Sequence, residues 1–292
     1  MNPPEALDRE LLRGLPLPRH PEDSDKEDRG RLLVIAGSRE LPGAALLAGT
    51  GGLRAGAGKL QIATAASIAI PLGVAIPEAR VIGCEETETG CLAAAAIEPL
   101  LEWAADAQAI MMGCGLQHGP PLEEMLDALL GSGLDKPLVL DAAVLGCLAP
   151  RASTLRAWKG GSILLPHARE MASLLECGFG EVKENPLDAV RRASELFGSV
   201  AVIKGEHSFV ASPDGRAFRF AGGGVGLATS GSGDALAGIV GGLCARGADP
   251  LAAALWGIHL HGEAGRILAE RTGRIGFLAR ELLDEVPALM EA

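Results

Sequence analysis

Short apolar runs without polar interruption recur along the chain, at Leu32–Ala36, Leu60–Ala63, Ala109–Met112, Leu138–Leu140, Ser162–Leu165 and Val200–Ile203. Strands that alternate apolar and polar residues have one wet face. Runs like these predict strands buried on both faces, as in a parallel sheet covered by helices. Ser208–Ala211 and Ala217–Phe220, joined by Ser212-Pro213-Asp214-Gly215, predict a hairpin. Helical stretches are predicted between these runs, near 43–56, 92–104, 121–131, 169–176 and 187–197.

From Asp234 onward the pattern turns almost wholly helical. One helix opens inside Gly231-Ser232-Gly233-Asp234 and closes at Arg246-Gly247, where glycine suits the C-cap. The next opens at Asp249-Pro250, a capping carboxylate followed by proline in the first turn. Strand and helix in alternation give a layered α/β fold with a mostly parallel central sheet flanked by helices. Residues 1–28 are polar, with a charged cluster from Glu22 to Arg29, and read as an N-terminal arm. Residues 29–292 read as a single domain.

Composition narrows the function classes. The formal charge of −11 over 292 residues argues against nucleic acid as the main partner and against an anionic membrane surface. A phosphorylated small molecule stays open, because a few backbone amides and one lysine hold it locally. The six cysteines, at 84, 91, 114, 147, 177 and 244, have no zinc-like spacing and read as reduced, mostly buried thiols. The N-terminus lacks an apolar targeting core, and the apolar stretch 65–75 is interrupted by Pro71 and too short to span a bilayer. A cytoplasmic location is expected.

In open parallel sheets, ligands bind beyond the carboxyl ends of the strands. The residues that follow the apolar runs are Gly37-Ser38, Gly113-Cys114-Gly115, Asp141, Pro166-His167 with Glu170, and Lys204-Gly205. Each has an ordinary reading as a turn, a cap or a surface charge; together on one edge they predict a cleft. The segment 222–238 is decisive: a glycine-dense loop runs directly into a helix that is small and apolar nearly all round. Amides at such a helix start point outward and, with the helix dipole, form an anion hole. Asp234 lies at that start, placed to take a proton from a hydroxyl attacking a phosphate. Gly58-Lys59 is followed by Leu60, so this is no Walker A loop, and no Gly-x-Gly-x-x-Gly occurs. His259 and His261 lie two apart on a helix and face different ways, which excludes a paired metal site.

In these residues the chain resembles the NAD(P)H-hydrate dehydratases of the ribokinase-like superfamily. The resemblance runs, in order, through Gly30–Ser38, Pro42–Ala44, Leu53–Gly58, Gly113–Leu116, Leu140–Ala142, Leu165–His167 with Glu170, Lys204-Gly205, Ala228–Asp234 and Trp256–Gly265. It implies a ribokinase-like catalytic domain in which ADP or ATP drives dehydration of hydrated NADH or NADPH. The ring hydroxyl is phosphorylated and phosphate then leaves. It further implies Asp234 as the base and Gly231, Ser232 and Gly233 as the anion hole. Ala44, Gly113, Gly115 and His167 line the hydrate pocket in this reading. Lys204, Gly205, Glu206, His207 and Ser208, with Gly233, hold the nucleotide, and Glu170 reaches Mg²⁺ through water. Relatives are often tetramers, which implies a homo-oligomer.

The chain departs from the family pattern at Gly223–Leu227, at Ser230, at Glu206 and Ser208 in the lysine loop, at Ala143 after Asp141, and at Arg169 before Glu170. Two alternatives accompany this reading. One is an ATP-dependent kinase of a small hydroxylated metabolite. The other is a catalytically weak nucleotide-binding relative.

Overall fold

The computed structural model describes residues 3–291. Its centre is a ten-stranded sheet built from β1 (Glu5–Ala6), β2 (Arg31–Ile35), β3 (Lys59–Ala65), β4 (Ala79–Cys84) and β5 (Ala109–Met112). The remaining strands are β6 (Leu138–Leu140), β7 (Ser162–Leu164), β8 (Val200–Ile203), β9 (Ser208–Ala211) and β10 (Ala217–Phe220). Their order across the sheet is β1-β10-β9-β8-β7-β6-β5-β2-β3-β4. All neighbours run parallel except β8 with β9 and β9 with β10. The apolar runs are therefore the central strands, and 208–220 is the antiparallel hairpin anticipated from its turn.

The absence of alternation has a simple cause. In β2, Leu32 and Val34 enter the core on one face while Leu33 and Ile35 enter the core on the other; Ala109/Met111 and Ile110/Met112 divide in the same way in β5. The first face is covered by the helices Pro42–Arg54, Ser232–Ala245, Pro250–Arg271 and Ala279–Glu291, the second by Ile97–Asp106, Pro120–Gly131, Ala168–Leu174 and Pro186–Phe197.

Two elements escape the periodicity. β4 is an edge strand with only Cys84 fully buried, so it lacks a continuous apolar run. Residues 66–75, which Pro71 was expected to interrupt, form one helix. Proline removes the donor for the Ser67 carbonyl. Both residues are exposed, so solvent satisfies that group and the helix persists. No described helix is long and apolar enough to cross a membrane, and all six cysteines are free.

The N-terminal segment is laid along the body. Glu5 and Ala6 pair with β10, Trp256 Nε1 donates to the Leu15 carbonyl at 2.7 Å, and Arg246 donates to the Pro18 carbonyl at 2.9 Å.

The helices Pro42–Arg54 and Ser232–Ala245 touch backbone to backbone. A Cβ at Gly238 would stand 2.1 Å from the Ala48 carbonyl oxygen, one at Gly242 2.3 Å from that of Gly52, and one at Gly51 2.8 Å from that of Ala235. No side-chain rotation relieves a clash with a main-chain oxygen. We expect Gly238→Ala to cost about 2–3 kcal/mol, at the upper end of overpacking losses. Urea unfolding midpoints of parent and variant measure this directly.

Candidate active site

Strands β3 and β4 follow β2 on one side of the sheet, while β5 to β8 extend from its other side. The order reverses at the β2/β5 boundary, the topological position at which open α/β sheets bind ligands. Gly37, after β2, donates to the Cys114 carbonyl after β5 at 2.8 Å. Gly115 adopts φ +67°, and a Cβ there would lie 2.7 Å from Ala44 Cβ and 2.8 Å from the Leu41 carbonyl. Ala44 and Gly115 are thus brought together, as the sequence reading expects. Gly113 borders the next strand end, its hypothetical Cβ 1.8 Å from the Asp141 carbonyl oxygen.

Asp141 follows β6 and Lys204 follows β8, one strand apart across β7. Lys204 Nζ donates to Asp141 Oδ1 at 3.1 Å and Oδ2 at 3.3 Å. Asp141 is only 3 % exposed. Burial raises its carboxyl to about 6, Lys204 opposes the rise and Glu170 adds to it. Burial alone would lower Lys204, but Asp141 and then Glu170 outweigh it and hold the ammonium above its ordinary value. Near neutral pH the pair is charged. Gly233 completes the cluster: a Cβ there would sit 3.4 Å from Lys204 Nζ and 3.7 Å from Asp141 Oδ2.

His167 caps the Ala168–Leu174 helix. Its Nδ1 accepts from the amides of Arg169 and Glu170, both at 3.2 Å, and the Glu170 carboxylate accepts from the His167 amide at 2.8 Å. With Nδ1 an acceptor, the neutral ring carries its proton on Nε2, on an exposed side chain. A backbone bridge pairs His167 with Lys204, so β7 and β8 deliver both to one edge. Beyond Lys204, residues Gly205, Glu206 and His207 form an exposed turn, and Ser208 is buried as the first residue of β9.

The glycine-rich segment ends in Gly231, which adopts φ +85° as the N-cap of the Ser232–Ala245 helix. The Ser232 amide donates to the Thr229 carbonyl at 3.2 Å, and the Ala235 amide to that of Gly231 at 3.0 Å. Among the described residues, the Gly233 and Asp234 amides have no acceptor. These are the donors left for an anion.

Asp234 is half-buried beside them. Burial raises its pKa, against the opposing effects of the Cys114 thiol and the Lys204 charge. Cys114 itself is fully buried, and its thiol is pushed well up by burial and by the carboxylates of Asp141 and Asp234.

Asp141 and Cys114 were visible as strand-end residues but carried no assigned role. Neither did His261, whose Nε2 lies 2.9 Å from Ser232 Oγ. His259, by contrast, packs edge-on against Phe220 and Trp256, so the two histidines do diverge. No group of three or more His, Cys, Asp or Glu able to hold a metal occurs among the described residues.

A buried carboxylate whose folded pKa is raised favours the protonated state. Its penalty is absent below the unfolded value near 4 and grows as the pH rises through the elevated folded value. Asp234→Asn removes that penalty. The variant should match the parent in melting temperature near pH 4 and exceed it at pH 7.5, measured by thermal unfolding at both.

Comparison with known proteins places this geometry in context. A family profile described as NAD(P)H-hydrate dehydratase matches residues 32–288. The chain is 44% identical over 286 residues to the ADP-dependent (S)-NAD(P)H-hydrate dehydratase of Xanthomonas campestris pv. campestris, covering 96% of this chain and 94% of that one. It is 35% identical over 274 residues to the bifunctional NAD(P)H-hydrate repair enzyme of Moorella thermoacetica, covering 94% of this chain but 52% of that longer protein.

Among solved structures, the ADP/ATP-dependent NAD(P)H-hydrate dehydratase from Bacillus subtilis, co-crystallised with ATP/Mg²⁺, superimposes with TM-score 0.82 at 29% identity over 98% of both chains. A ribokinase-like superfamily protein from Enterococcus faecalis V583 shares the fold, with TM-score 0.84 at 24% identity over 98% of this chain and 95% of that one.

Proposed function

The chain belongs to the NAD(P)H-hydrate dehydratase family, and we propose that it restores hydrated NADH or NADPH by nucleotide-driven dehydration at the sheet edge beyond the β2/β5 boundary. The observation that carries this reading is the convergence of Asp234, the free Gly233 and Asp234 amides, and the Lys204–Asp141 pair at one sheet edge.

In this reading Asp234 takes the proton from the hydrate's ring hydroxyl as that oxygen attacks the terminal phosphoryl group of ADP or ATP. Burial raises its carboxyl above the ordinary value, which makes the carboxylate a stronger base. The amides of the helix start, with Gly231 and Ser232 shaping the turn, receive the charge on the migrating group. Breaking the carbon–oxygen bond then releases inorganic phosphate, and loss of a ring proton restores the nicotinamide. Ala44, Gly113 and Gly115 form the wall against the hydrate, and the Nε2–H of His167 offers it a donor. Lys204 neutralises phosphate charge, while Gly205, Glu206, His207 and Ser208 carry the rest of the nucleotide.

Mg²⁺ fits as a companion of the nucleotide. With no three-ligand protein set among the described residues, Glu170 and Asp141 would hold it through its water shell. When bound, it supplies charge neutralisation at the phosphates. Homo-oligomer formation and a cytoplasmic location belong to the same reading. The helix Ala66–Ala75 carries no charge and exposes Ile70 by 81 % and Val74 by 78 %, which suits self-association of a chain of net charge −11. Replacing both by Asp should shift the species seen by light scattering to the monomer; unchanged mass removes this face from the assembly.

The decisive assay supplies hydrated NADH with ADP, then with ATP, and Mg²⁺. Absorbance of the reduced nicotinamide should return with stoichiometric phosphate, and no return with either nucleotide overturns the proposal. Accumulation of a stable phosphorylated product would instead mark a kinase. Asp234→Asn should lower kcat about 10²- to 10⁴-fold, the range for loss of a general base. A variant as active as an active parent would remove Asp234 as the base, whereas ADP binding without turnover, the same in parent and variant, would leave only a nucleotide-binding relative.

A further inference from the structure

The Ser232–His261 pair lies one residue from the free amides, yet the mechanism above gives His261 no task. His261 sits on the Pro250–Arg271 helix, 8 % exposed. Its Nε2 is 2.9 Å from Ser232 Oγ and 3.1 Å from the Ser232 carbonyl oxygen. A buried serine and histidine this close resemble a nucleophile and its base. The carbonyl contact argues otherwise. A carbonyl oxygen only accepts, so Nε2 must carry the proton at that contact; an unprotonated Nε2 would set two lone pairs against each other at 3.1 Å. A nitrogen that already bears its proton cannot take one from the serine.

We propose that His261 is a positioning residue whose Nε2–H donates to Ser232, turning the serine hydroxyl into a one-way donor toward the phosphoryl group in the anion hole. This rests on the dehydratase reading above and adds a donor to it. The hydroxyl oxygen accepts from the imidazole, and its hydrogen has no acceptor among the described residues. The Ser232 amide is already committed to the Thr229 carbonyl, so the hydroxyl is what Ser232 has left to offer. It joins the Gly233 and Asp234 amides at the same helix end. Burial, and then the nearby Lys204 charge, lower the imidazole to about 4, while its bond to the Ser232 carbonyl works the other way. The ring therefore stays neutral with a single proton, whose place the carbonyl assigns.

Two kinds of measurement test this. Long-range proton–nitrogen NMR of the labelled parent reports the tautomer without any turnover. An Nε2-protonated His261, unchanged from pH 5.5 to 8, is expected, and an Nδ1-protonated ring overturns the inference. In the hydrate assay, His261→Phe keeps a ring but removes the donor and should lower kcat about 10- to 100-fold, below the usual loss of a whole oxyanion donor, with KM for the hydrate within about threefold. His261→Gln restores an N–H at similar reach and should recover most of the rate. Ser232→Ala should match His261→Phe, and the double variant should be no slower than either single one. Multiplying losses, or a His261→Phe enzyme with parental kcat, would overturn the proposal. A parent with no hydrate turnover defeats the dehydratase reading instead, leaving the tautomer measurement to judge the pair.

Discussion

Everything at the site depends on how closely two helices approach. Gly238 against the Ala48 carbonyl, Gly242 against that of Gly52 and Gly51 against that of Ala235 allow main chain to meet main chain. With side chains there, the helix pair would stand further apart, and the Ser232 end would move off the β2/β5 boundary. The same smallness leaves the Ser232–Ala245 helix buried from Ala235 to Ala245. A half-buried helix start keeps its dipole and unpaired amides partly out of bulk water, where they act more strongly on an anion.

Charge at the site is balanced with little surplus. Asp141, Glu170 and Asp234 surround one lysine, and Lys204 is drawn onto Asp141 by two contacts near 3.2 Å (3.1 and 3.3 Å). A polyphosphate brought to this edge, as proposed, would meet carboxylates as well as a cation, so a metal accompanying it would suit the charge balance. Asp234 is tuned by burial above all, with the Cys114 thiol and Lys204 holding the rise in check. Cys114 therefore acts on the Asp234 carboxylate although its surroundings are those of an ordinary core residue.

Neutrality of His261 follows from the same setting. An imidazolium there would be buried and would face Lys204; both effects disfavour it. The histidine can therefore hold one proton in one place, and the Ser232 carbonyl determines which nitrogen keeps it.

Much of this was legible in the chain itself. Apolar runs without alternation announced a sheet covered on both faces, and the polar residues ending those runs announced its working edge. Glycine density ahead of Asp234 announced the tight turn that starts the Ser232–Ala245 helix. These are local signals, set by burial periodicity and backbone freedom within a few residues. Strand order was not local: only the sheet arrangement sets Asp141 and Lys204 one strand apart, and only helix packing brings His261 to Ser232 and Cys114 to Asp234. Periodicity shows which face of a residue is buried, but not which distant residue it will be buried against. The edge strand β4, half in solvent, was silent because an exposed strand has no need of an apolar run. The sequence by itself thus determined the layers, the edge and the place of the candidate base, whereas the partners that shift the Asp234 carboxyl were decided by tertiary packing, because hydrogen bonds and charge coupling depend on distance in space.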